Sequence, residues 1–508
     1  MEPLLKKSTL EIAQLTMDRH EECPISGEYT LPEYCSDVAV VLKCFAYPHI
    51  QSRQWKGEQF LVDGSADIRV LYLDEERQAV RALEFVQPFS CSIHGNARND
   101  NTEVELHLST KYLTCRAVSP RRIEVRGAIT VTARAECASI CEIVEPLTCG
   151  GFYTRTDTLP ITVPMNVSEK VISVNENFEF DSSLPPAEML LGGECRAVVK
   201  ECKILSGKVI VKGLVYIHQL YTDSVEGKHT HTLDFNIPFS QIMDVPDVRE
   251  GMSYKSSVLV LSDMEKCSVG PDGENTVLDV NIKMLLRVQA FKQTEIALLR
   301  DAFHCRFPVV AKVDELCIRS LLGQQYEEVK LFKKVSVPSE KWKEIIDVWV
   351  QVQDIQVECV DGCAKGKGHL QIGVIARDMD DEIVYREYLE EYSVEHKAEG
   401  NTVEIQSVVS QVHFRMIGDV LELEIVLAYS ITDCMVLKES IISDLHPQAE
   451  APFPKNKVNA LLYYANRGEM IWNIGRECHA SPDTIQKENS LNNDVVVDPC
   501  ILLVPIEN

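Results

Sequence analysis

The sequence predicts a mainly β protein, built from three β-sandwich-like repeat domains and a small C-terminal α/β module with the order strand, helix, helix, strand. Three observations lead to this prediction. Similar proline-marked segments recur 153 residues apart, apolar and polar residues alternate in each copy, and roughly the last fifty residues carry a separate, partly helical pattern. Period-two alternation is typical of a half-buried strand, and two such sheets bury their apolar faces against each other.

The length of the chain fits this division. At 508 residues, a size of about 100–200 residues per domain gives three or four units. The predicted repeats are 1–150, 151–308 and 309–445, followed by a linker rich in proline and charge at 446–457 and the terminal module at 458–508. We expect the domain edges near Gly150-Gly151 and near Pro308.

The recurring proline marks one position in each copy. It occurs in LPEYCSDVAVVL from Leu31, in LPPAEMLLGG from Leu184 and in VPSEKWKEII from Val337. Proline fixes φ near the helical value and favours the first turn of a helix. Each unit is therefore expected to open with a brief helix.

Glycines mark a hairpin and a strand in each copy. Tight hairpins require positive φ, which predicts turns at Gly57, Gly207 and Gly362. A second glycine inside the next strand indicates a bulge or a close approach of another chain segment, and it occurs at Gly64, Gly213 and Gly368. An aromatic residue follows 24 to 26 positions later, at Phe89, Phe239 and Tyr392.

A second hairpin-like pattern ends each copy. In the first copy the residues predicted to share one buried face are Ile123, Val125, Ile129 and Val131. In the third copy they are Leu421, Leu423, Ile425 and Leu427. Their neighbours are polar, as expected for an antiparallel sheet with one face in water.

The charge balance excludes several classes of partner. Seventy-seven acidic and fifty-one basic side chains give a net charge of −26, which repels phosphate backbones and anionic surfaces. Nucleic acid is therefore not expected as a partner. The N-terminal stretch has no apolar core of signal-peptide length, and no stretch reaches the roughly 18 apolar residues of a spanning helix. We expect a soluble, cytosolic protein without a transmembrane segment.

The eighteen cysteines are scattered along the chain. Without an export signal, reduced thiols are the expected state. Cys137/Cys141 and Cys359/Cys363 have C-x3-C spacing, and His369 follows the second pair, but no fourth ligand for a closed zinc site stands nearby. Zinc binding and oxidative cross-linking remain the less favoured alternatives, and no cofactor is expected.

The sequence gives no support for an enzyme. It lacks a phosphate-binding P-loop, a dinucleotide-binding glycine motif, a metalloprotease HExxH helix and a hydrolase GxSxG elbow. The glycine-rich segment 361–369 is preceded by a turn and followed by a strand, so it lacks the helix N-terminus that binds phosphate. A solvated hairpin is the preferred interpretation, and we expect no catalytic residues.

The terminal module has its own pattern. An apolar strand, ALLYYAN, is followed by a turn at Gly468 and by Ile471, Ile474 and Cys478 at helical spacing. Ser481 precedes Pro482 as an N-cap precedes a first-turn proline. The final apolar segment, CILLVPI, completes the order strand, helix, helix, strand.

This module resembles the LysM family in Gly468, in Ile471-Trp472-Asn473-Ile474, in Asn489 and in the last strand from Ile501 to Pro505. LysM modules bind N-acetylglucosamine chains through two loops. Here Glu469-Met470 and Asp498-Pro499-Cys500 replace the usual residues of those loops, which removes groups that a sugar would contact. The resemblance implies a partner-binding surface formed by Gly468, Glu469, Met470, Trp472, Asn489, Asp498 and Pro499.

The repeats resemble the SPOCS domain of spore-forming Firmicutes, most clearly in LPEYCSDVAVVL, ILSGKVIVKGLVYIHQLY and IPFSQIMDV. The third copy is degenerate. SPOCS repeats followed by one LysM module are similar to a clostridial family of spore coat morphogenetic proteins. The resemblance implies a role in the mother-cell cytoplasm at the forespore surface, where the LysM module binds the coat basement-layer ATPase SpoIVA.

Three hypotheses follow from these patterns and resemblances. The first is a non-enzymatic scaffold of the spore coat that tethers SpoIVA. The second is a peptidoglycan-binding protein of the cortex or cell wall that uses the terminal module as a lectin. The third is an enzyme without a recognisable motif. The first agrees best with the altered loops and the negative charge.

Overall fold

Long antiparallel strands make up most of the chain, which confirms the prediction of a mainly β protein. The computed structural model describes residues 7–76, 79–95, 103–145, 152–224, 229–337, 342–448, 450–454 and 458–506. Among these residues, eighteen strands fall into three sets of six. The first set comprises β1 (Lys7–Thr30), β2 (Val38–Lys56), β3 (Gln59–Asp74), β4 (Val80–His94), β5 (Glu105–Ser119) and β6 (Arg122–Val144).

The other two sets repeat this order. The second comprises β7 (Phe152–Glu179), β8 (Ala187–Leu205), β9 (Lys208–Asp223), β10 (Thr230–Asp244), β11 (Ser253–Ser268) and β12 (Val277–His304). The third comprises β13 (Val309–Ser336), β14 (Trp342–Val360), β15 (Cys363–Asp378), β16 (Ile383–Lys397), β17 (Thr402–Ile417) and β18 (Val420–Pro447).

Each set forms two three-stranded sheets. One contains the second, third and fourth strands, and the other contains the first, sixth and fifth, with the sixth in the middle. In the first set the two sheets share one core between them, to which all six strands contribute. The residues predicted to face inwards on β6 are all buried in this core, and those on β18 are buried in the core of the third set, as the alternating pattern requires.

The predicted turn and strand glycines have separate roles. Gly57, Gly207 and Gly362 have φ between 62° and 75° in the hairpins that join the second and third strands. Each strand glycine lies directly opposite an aromatic residue of the fourth strand: Gly64 opposite Phe89, Gly213 opposite Phe239 and Gly368 opposite Tyr392. A Cβ at any of these glycines would lie closer than 3.0 Å to the ring of the aromatic residue. The regular spacing between glycine and aromatic residue in the sequence therefore reflects an aromatic ring that packs directly against the glycine backbone.

The expected opening helices are wrong for the first two sets. Pro32 lies between β1 and β2 in a turn in which the Cys35 amide donates to the Pro32 carbonyl. In the second set the Leu184 amide donates to the Asp181 carbonyl in a similar turn before β8. The third proline, Pro338, lies outside the described residues.

Arg121 explains why the first of these segments is a turn. Its guanidinium donates to the carbonyls of Leu31, Pro32 and Cys35 and to the Asp37 carboxylate. A helix would use those carbonyls for its own hydrogen bonds. Arg121 lies 84 to 90 residues away in sequence, so no local pattern could have predicted this competition.

Equivalent residues of the three sets meet in common clusters. Ile12, Ile161 and Ile318 each lie eighteen residues before the end of the first strand of their set, and all three are buried in one cluster. Leu71, Leu220 and Ile375 each lie at the thirteenth position of the third strand and share a second cluster. The three sets are therefore arranged with approximate threefold symmetry around a shared interior.

A buried ion cluster also joins the three sets. The cluster contains one residue from the fifth strand of each set: Glu105, Lys255 and Glu404. Each of them pairs with the residue of the sixth strand that lies twelve positions after that strand begins, so the three positions are equivalent. The Lys255 ammonium lies 2.7 Å from the Glu105 carboxylate and 3.3 Å from that of Glu404. Arg134 and Arg319 also pair with Glu404, which offsets the cost of removing these charges from water.

The chain ends in the order strand, helix, helix, strand: β19 (Ala460–Ala465), α1 (Ile471–Cys478), α2 (Pro482–Glu488) and β20 (Cys500–Pro505). The predicted edge at Gly150-Gly151 lies outside the described residues, whereas Pro308 lies between β12 and β13. The predicted linker from 446 begins within β18, because His446 and Pro447 belong to that strand. The division of the chain into domains stays a prediction.

Two further properties concern the described residues. Their cysteines are all free thiols, and no group of three or more His, Cys, Asp or Glu side chains is placed to hold a metal ion. None of the described helices has the length and apolar character needed to cross a membrane.

The buried faces of the repeats can be tested with single charges. Val211 and Ile425 are almost completely buried in the cores of the second and third sets. We expect Val211→Asp and Ile425→Asp to lower the free energy of unfolding by several kcal/mol, because each buries an unpaired carboxylate. Lys212→Asp, at the exposed neighbouring position, is the control. Urea unfolding that is equal for all three variants would contradict the assignment of faces.

Acid should weaken the ion cluster. Burial alone would raise the pKa of Glu105, but the Lys255 ammonium lowers it to about 2, below its usual 4.5. A depressed folded-state pKa contributes stability that is complete above pH 4.5 and is lost as the pH falls through about 2. Glu105→Gln should be less stable than the parent at pH 7, and this difference should shrink between pH 4.5 and 2 in urea titrations. Glu11→Gln, on an exposed part of β1, should show no such convergence.

Candidate functional site

The C-terminal module carries the predicted partner-binding residues on a small core. Its buried side chains are Ala465, Ile471, Ile474, Ala480, Ile485, Val496, Leu502 and Val504. They come from both strands, both helices and the loop before β20, so the module has an interior of its own. The helical stripe of Ile471 and Ile474 lies in this core as predicted, with Cys478 packed against it.

The two helices are closely linked. The Ser481 hydroxyl caps α2 by accepting a hydrogen bond from the Thr484 amide at 3.2 Å, and Pro482 occupies the first turn, both as predicted. At the end of α1, His479 adopts the left-handed conformation with φ 54°. A side chain at Gly475 would meet the Ala480 carbonyl at 2.8 Å, so this glycine allows α1 and α2 to approach.

Backbone hydrogen bonds join the loop before α1 to the loop before β20. The Gly468 amide donates to the Val496 carbonyl, and the Val496 amide donates to the Glu469 carbonyl, at 2.8 and 2.9 Å. The Ile471 amide donates to the Asp494 carbonyl at 2.9 Å. The two loops that carry most of the predicted partner residues therefore form one continuous surface.

Two predicted contact residues have internal partners. The Glu469 carboxylate accepts hydrogen bonds from the Asn466 amide and the Tyr463 hydroxyl, both at 2.8 Å. The bond from the Asn466 amide is the main reason why the pKa of Glu469 lies below its usual value. Asn489 donates to the carbonyls of Ile485 and Leu503 and accepts from the Leu503 amide, so it fastens the end of α2 to β20.

Trp472 and Met470 face the second strand set. The Trp472 indole N–H donates to the Asp301 carboxylate at 2.8 Å, and its ring meets Phe303 edge-on at 5.0 Å between centroids. Arg476 also pairs with Asp301, at 3.0 Å. Met470 is partly exposed, and its sulfur lies 3.7 Å from the Arg155 guanidinium. This contact fixes the module against the ends of β7 and β12.

The remaining predicted residues, Gly468, Asp498 and Pro499, are exposed. The structure thus divides the predicted surface into an exposed part, an internally bonded part and a part that contacts the repeats. Contact between any of these seven residues and a partner stays a prediction.

A second surface of the module was missed in the sequence. Leu462 lies directly opposite Leu503, and Tyr464 lies directly opposite Ile501, on the face of the two-stranded sheet that points away from the core. Their exposed fractions are 67, 40, 74 and 53%, respectively. Large apolar groups grouped in this way on a surface indicate a protein interaction site. The signal was visible, because ALLYYA and CILLVP are apolar at every position instead of alternating.

The contact between module and repeats can be tested at Asp301. We expect Asp301→Ala to weaken this contact by about 1.5–3 kcal/mol, because hydrogen bonds to a charged acceptor are lost. The measurement is hydrogen exchange of the Trp472 indole N–H, identified with Trp472→Phe, which should become faster. Asp314→Ala, which removes a largely exposed carboxylate that pairs with Lys312 and Ser443, is the control. Unchanged exchange in Asp301→Ala would show that the contact does not hold the module.

Two segments match one family model. The model is described as SipL, SPOCS domain, and it matches residues 37–118 and 186–268, together less than half of the chain. These segments cover β2 to β5 and β8 to β11, and the corresponding part of the third set is not among the matched residues. No curated protein and no solved structure matches the chain. The chain is therefore a SipL-like protein that contains SPOCS domains.

Proposed function

We propose that this protein is a non-enzymatic scaffold of endospore coat assembly that tethers the coat basement-layer ATPase SpoIVA at the forespore surface through its LysM-like C-terminal module. The match to the SipL SPOCS domain supports the link to sporulation and the coat. The observation that carries the tethering role is the exposed apolar face of β19 and β20. It gives a small module a surface suited to binding another protein.

The apolar face has the composition of an interaction surface. Tyr464 combines a large apolar contact area with few rotatable bonds, as residues that dominate interface energies do. Leu462 and Leu503 extend this area across the strand pair. The face lies on the opposite side of the sheet from the module's core, so a partner can cover it without unfolding the module.

The repeats serve as a base for the module. The shared clusters and the ion cluster join three strand sets, and the contact of Trp472 with Asp301 attaches the module to the second set. A SpoIVA molecule bound to the module is then held at a fixed place relative to the repeats. The site of action is the mother-cell cytoplasm at the forespore surface.

Peptidoglycan binding is the alternative function. It is favoured by the strand, helix, helix, strand order of the module and by the exposure of Gly468, Asp498 and Pro499 in two adjoining loops. The net charge of −26 opposes contact with an anionic wall polymer. The side chains of Glu469 and Asn489 are already hydrogen-bonded within the module, which leaves fewer groups for a sugar.

A truncated chain separates the repeats from the module. A protein that ends near Lys455, a position outside the described residues, should keep its β-rich circular dichroism spectrum and lose binding to purified SpoIVA in a pull-down. The full-length variant Tyr464→Ser with Leu462→Ser should also bind more weakly, by at least about tenfold, because the apolar contact is removed. Full binding by the truncated chain would move the docking site onto the repeats.

Two controls distinguish the functions. Arg467→Ser, in the exposed turn after β19, should leave SpoIVA binding unchanged. Isolated cortex peptidoglycan serves as the second bait in the same pull-down. Retention on peptidoglycan together with no retention on SpoIVA would favour the lectin function.

A further inference from the structure

A cleft of about 1090 Å³ lies between the first and third strand sets. His20 and Thr132, which lie opposite each other on β1 and β6, form one side. The third set forms the other sides with residues of β13 to β16, including Lys333, Lys367 and His369. The cleft is far from the C-terminal module in the sequence, and the proposed tethering role does not use it.

At Lys333 the cleft adjoins the outer face of the sheet formed by β13, β17 and β18. A second depression of about 510 Å³ shares Lys333 and is lined by residues of β13, β17 and β18. Phe332, which is 72% exposed, lies there beside Lys334 and Arg415. Phe332 and Lys333 are successive residues of β13, so their side chains project from opposite faces of this strand. The two depressions lie on either side of β13, the outermost strand of its sheet, and are together called the third-repeat groove.

The charge of this groove differs from that of the whole chain. Its lining contains Lys333, Lys334, Lys367 and Arg415, together with three imidazoles, against three glutamates. In the chain as a whole, acidic side chains outnumber basic ones by 77 to 51. The groove is therefore a local region that attracts anions, whereas the net negative charge of the whole protein repels them.

Two of the lysines are not neutralised by carboxylates. Lys334 and Arg415 both pair with Glu422, at 2.8 and 2.6 Å. Lys333 instead donates to the main-chain carbonyl of Glu391, which holds its ammonium at the cleft. Among the described residues, neither Lys333 nor Lys367 forms an ion pair.

The combination of residues that line the groove is specific to the third repeat. Lys333 lies three residues before the end of the first strand of its set, where the other sets have Gly27 and Glu176. His369 is the seventh residue of the third strand, where the others have Ser65 and Leu214. The third copy therefore has a lysine and an imidazole at two lining positions where the other copies have neither, whereas the position of Lys367 is also a lysine, Lys212, in the second copy.

We propose that the third-repeat groove binds an acidic peptide segment that carries an apolar side chain. Lys333 and Lys367 supply unpaired cations for carboxylates, and Phe332 supplies an exposed ring for the apolar contact. The groove is open and larger than the roughly 300–1,000 Å³ pockets that enclose small molecules. An extended chain that passes over the edge of β13 reaches Lys367 and Lys333 on one side and Phe332 on the other, because its own side chains project alternately to opposite sides.

The test is fluorescence anisotropy of a labelled ten-residue glutamate-rich peptide with one central leucine, titrated with the full chain at low ionic strength. We expect salt-dependent binding that Lys333→Glu with Lys367→Glu weakens by at least tenfold and that Phe332→Ser weakens severalfold. The matched control is Lys208→Glu with Lys212→Glu, which makes the same change of charge on exposed residues of β9. These control substitutions should leave binding within about twofold.

Competitors identify the class of ligand. Citrate and a single-stranded oligonucleotide are added at equal total charge, and both should displace the peptide poorly. Stronger displacement by citrate would indicate a small-anion site, and stronger displacement by the oligonucleotide would indicate a nucleic-acid surface; either result overturns the proposal. Absence of binding, or equal loss in the control variant, overturns it as well. Lys367→Gln, measured alongside with its thermal melting curve, separates loss of binding from loss of folding.

Discussion

The meeting of Glu105, Lys255 and Glu404 constrains the whole arrangement of the repeats. One lysine and two glutamates occupy the same strand position in three successive copies, and Lys255 of the second copy pairs with Glu105 of the first and Glu404 of the third. An ammonium or carboxylate removed from water without a partner costs several kcal/mol. Lys255 has both of these carboxylates beside it only when all three sets are in place, and the isoleucine and leucine clusters join the same three sets.

Local patterns in the sequence predicted the elements whose causes are local. Period-two alternation located the buried faces of β6 and β18, and the turn glycines located the hairpins, because both depend on near neighbours. The segment at Pro32 was assigned wrongly because its carbonyls are bound by Arg121, about ninety residues further on. The cluster at Lys255 was equally invisible, since its members lie about 150 residues apart.

In the candidate site, too, features with local causes were predicted from the sequence, and contacts between distant residues were not. The core stripe of α1, the cap at Ser481 and the role of Gly468 as a turn followed from spacing alone. The surroundings of Trp472 did not, because Asp301 and Phe303 lie about 170 residues earlier. The resemblance to a sugar-binding family concerns the two loops and gives no information about the faces of the strands. Tyr464 and Ile501 belong to strands that are apolar at every position, so no alternation in the sequence shows which face each residue occupies.

In every set the first and last strands pair with each other, as β1 with β6, β7 with β12 and β13 with β18. The two ends of a repeat are therefore adjacent in space, and within the part of the chain that the structure describes no hydrogen-bonded ladder crosses from one repeat into the next. A duplicated stretch of the gene would encode a six-stranded unit whose ends already meet. Adding another copy of such a unit adds two complete three-stranded sheets and leaves the strand pairing of the existing copies unchanged.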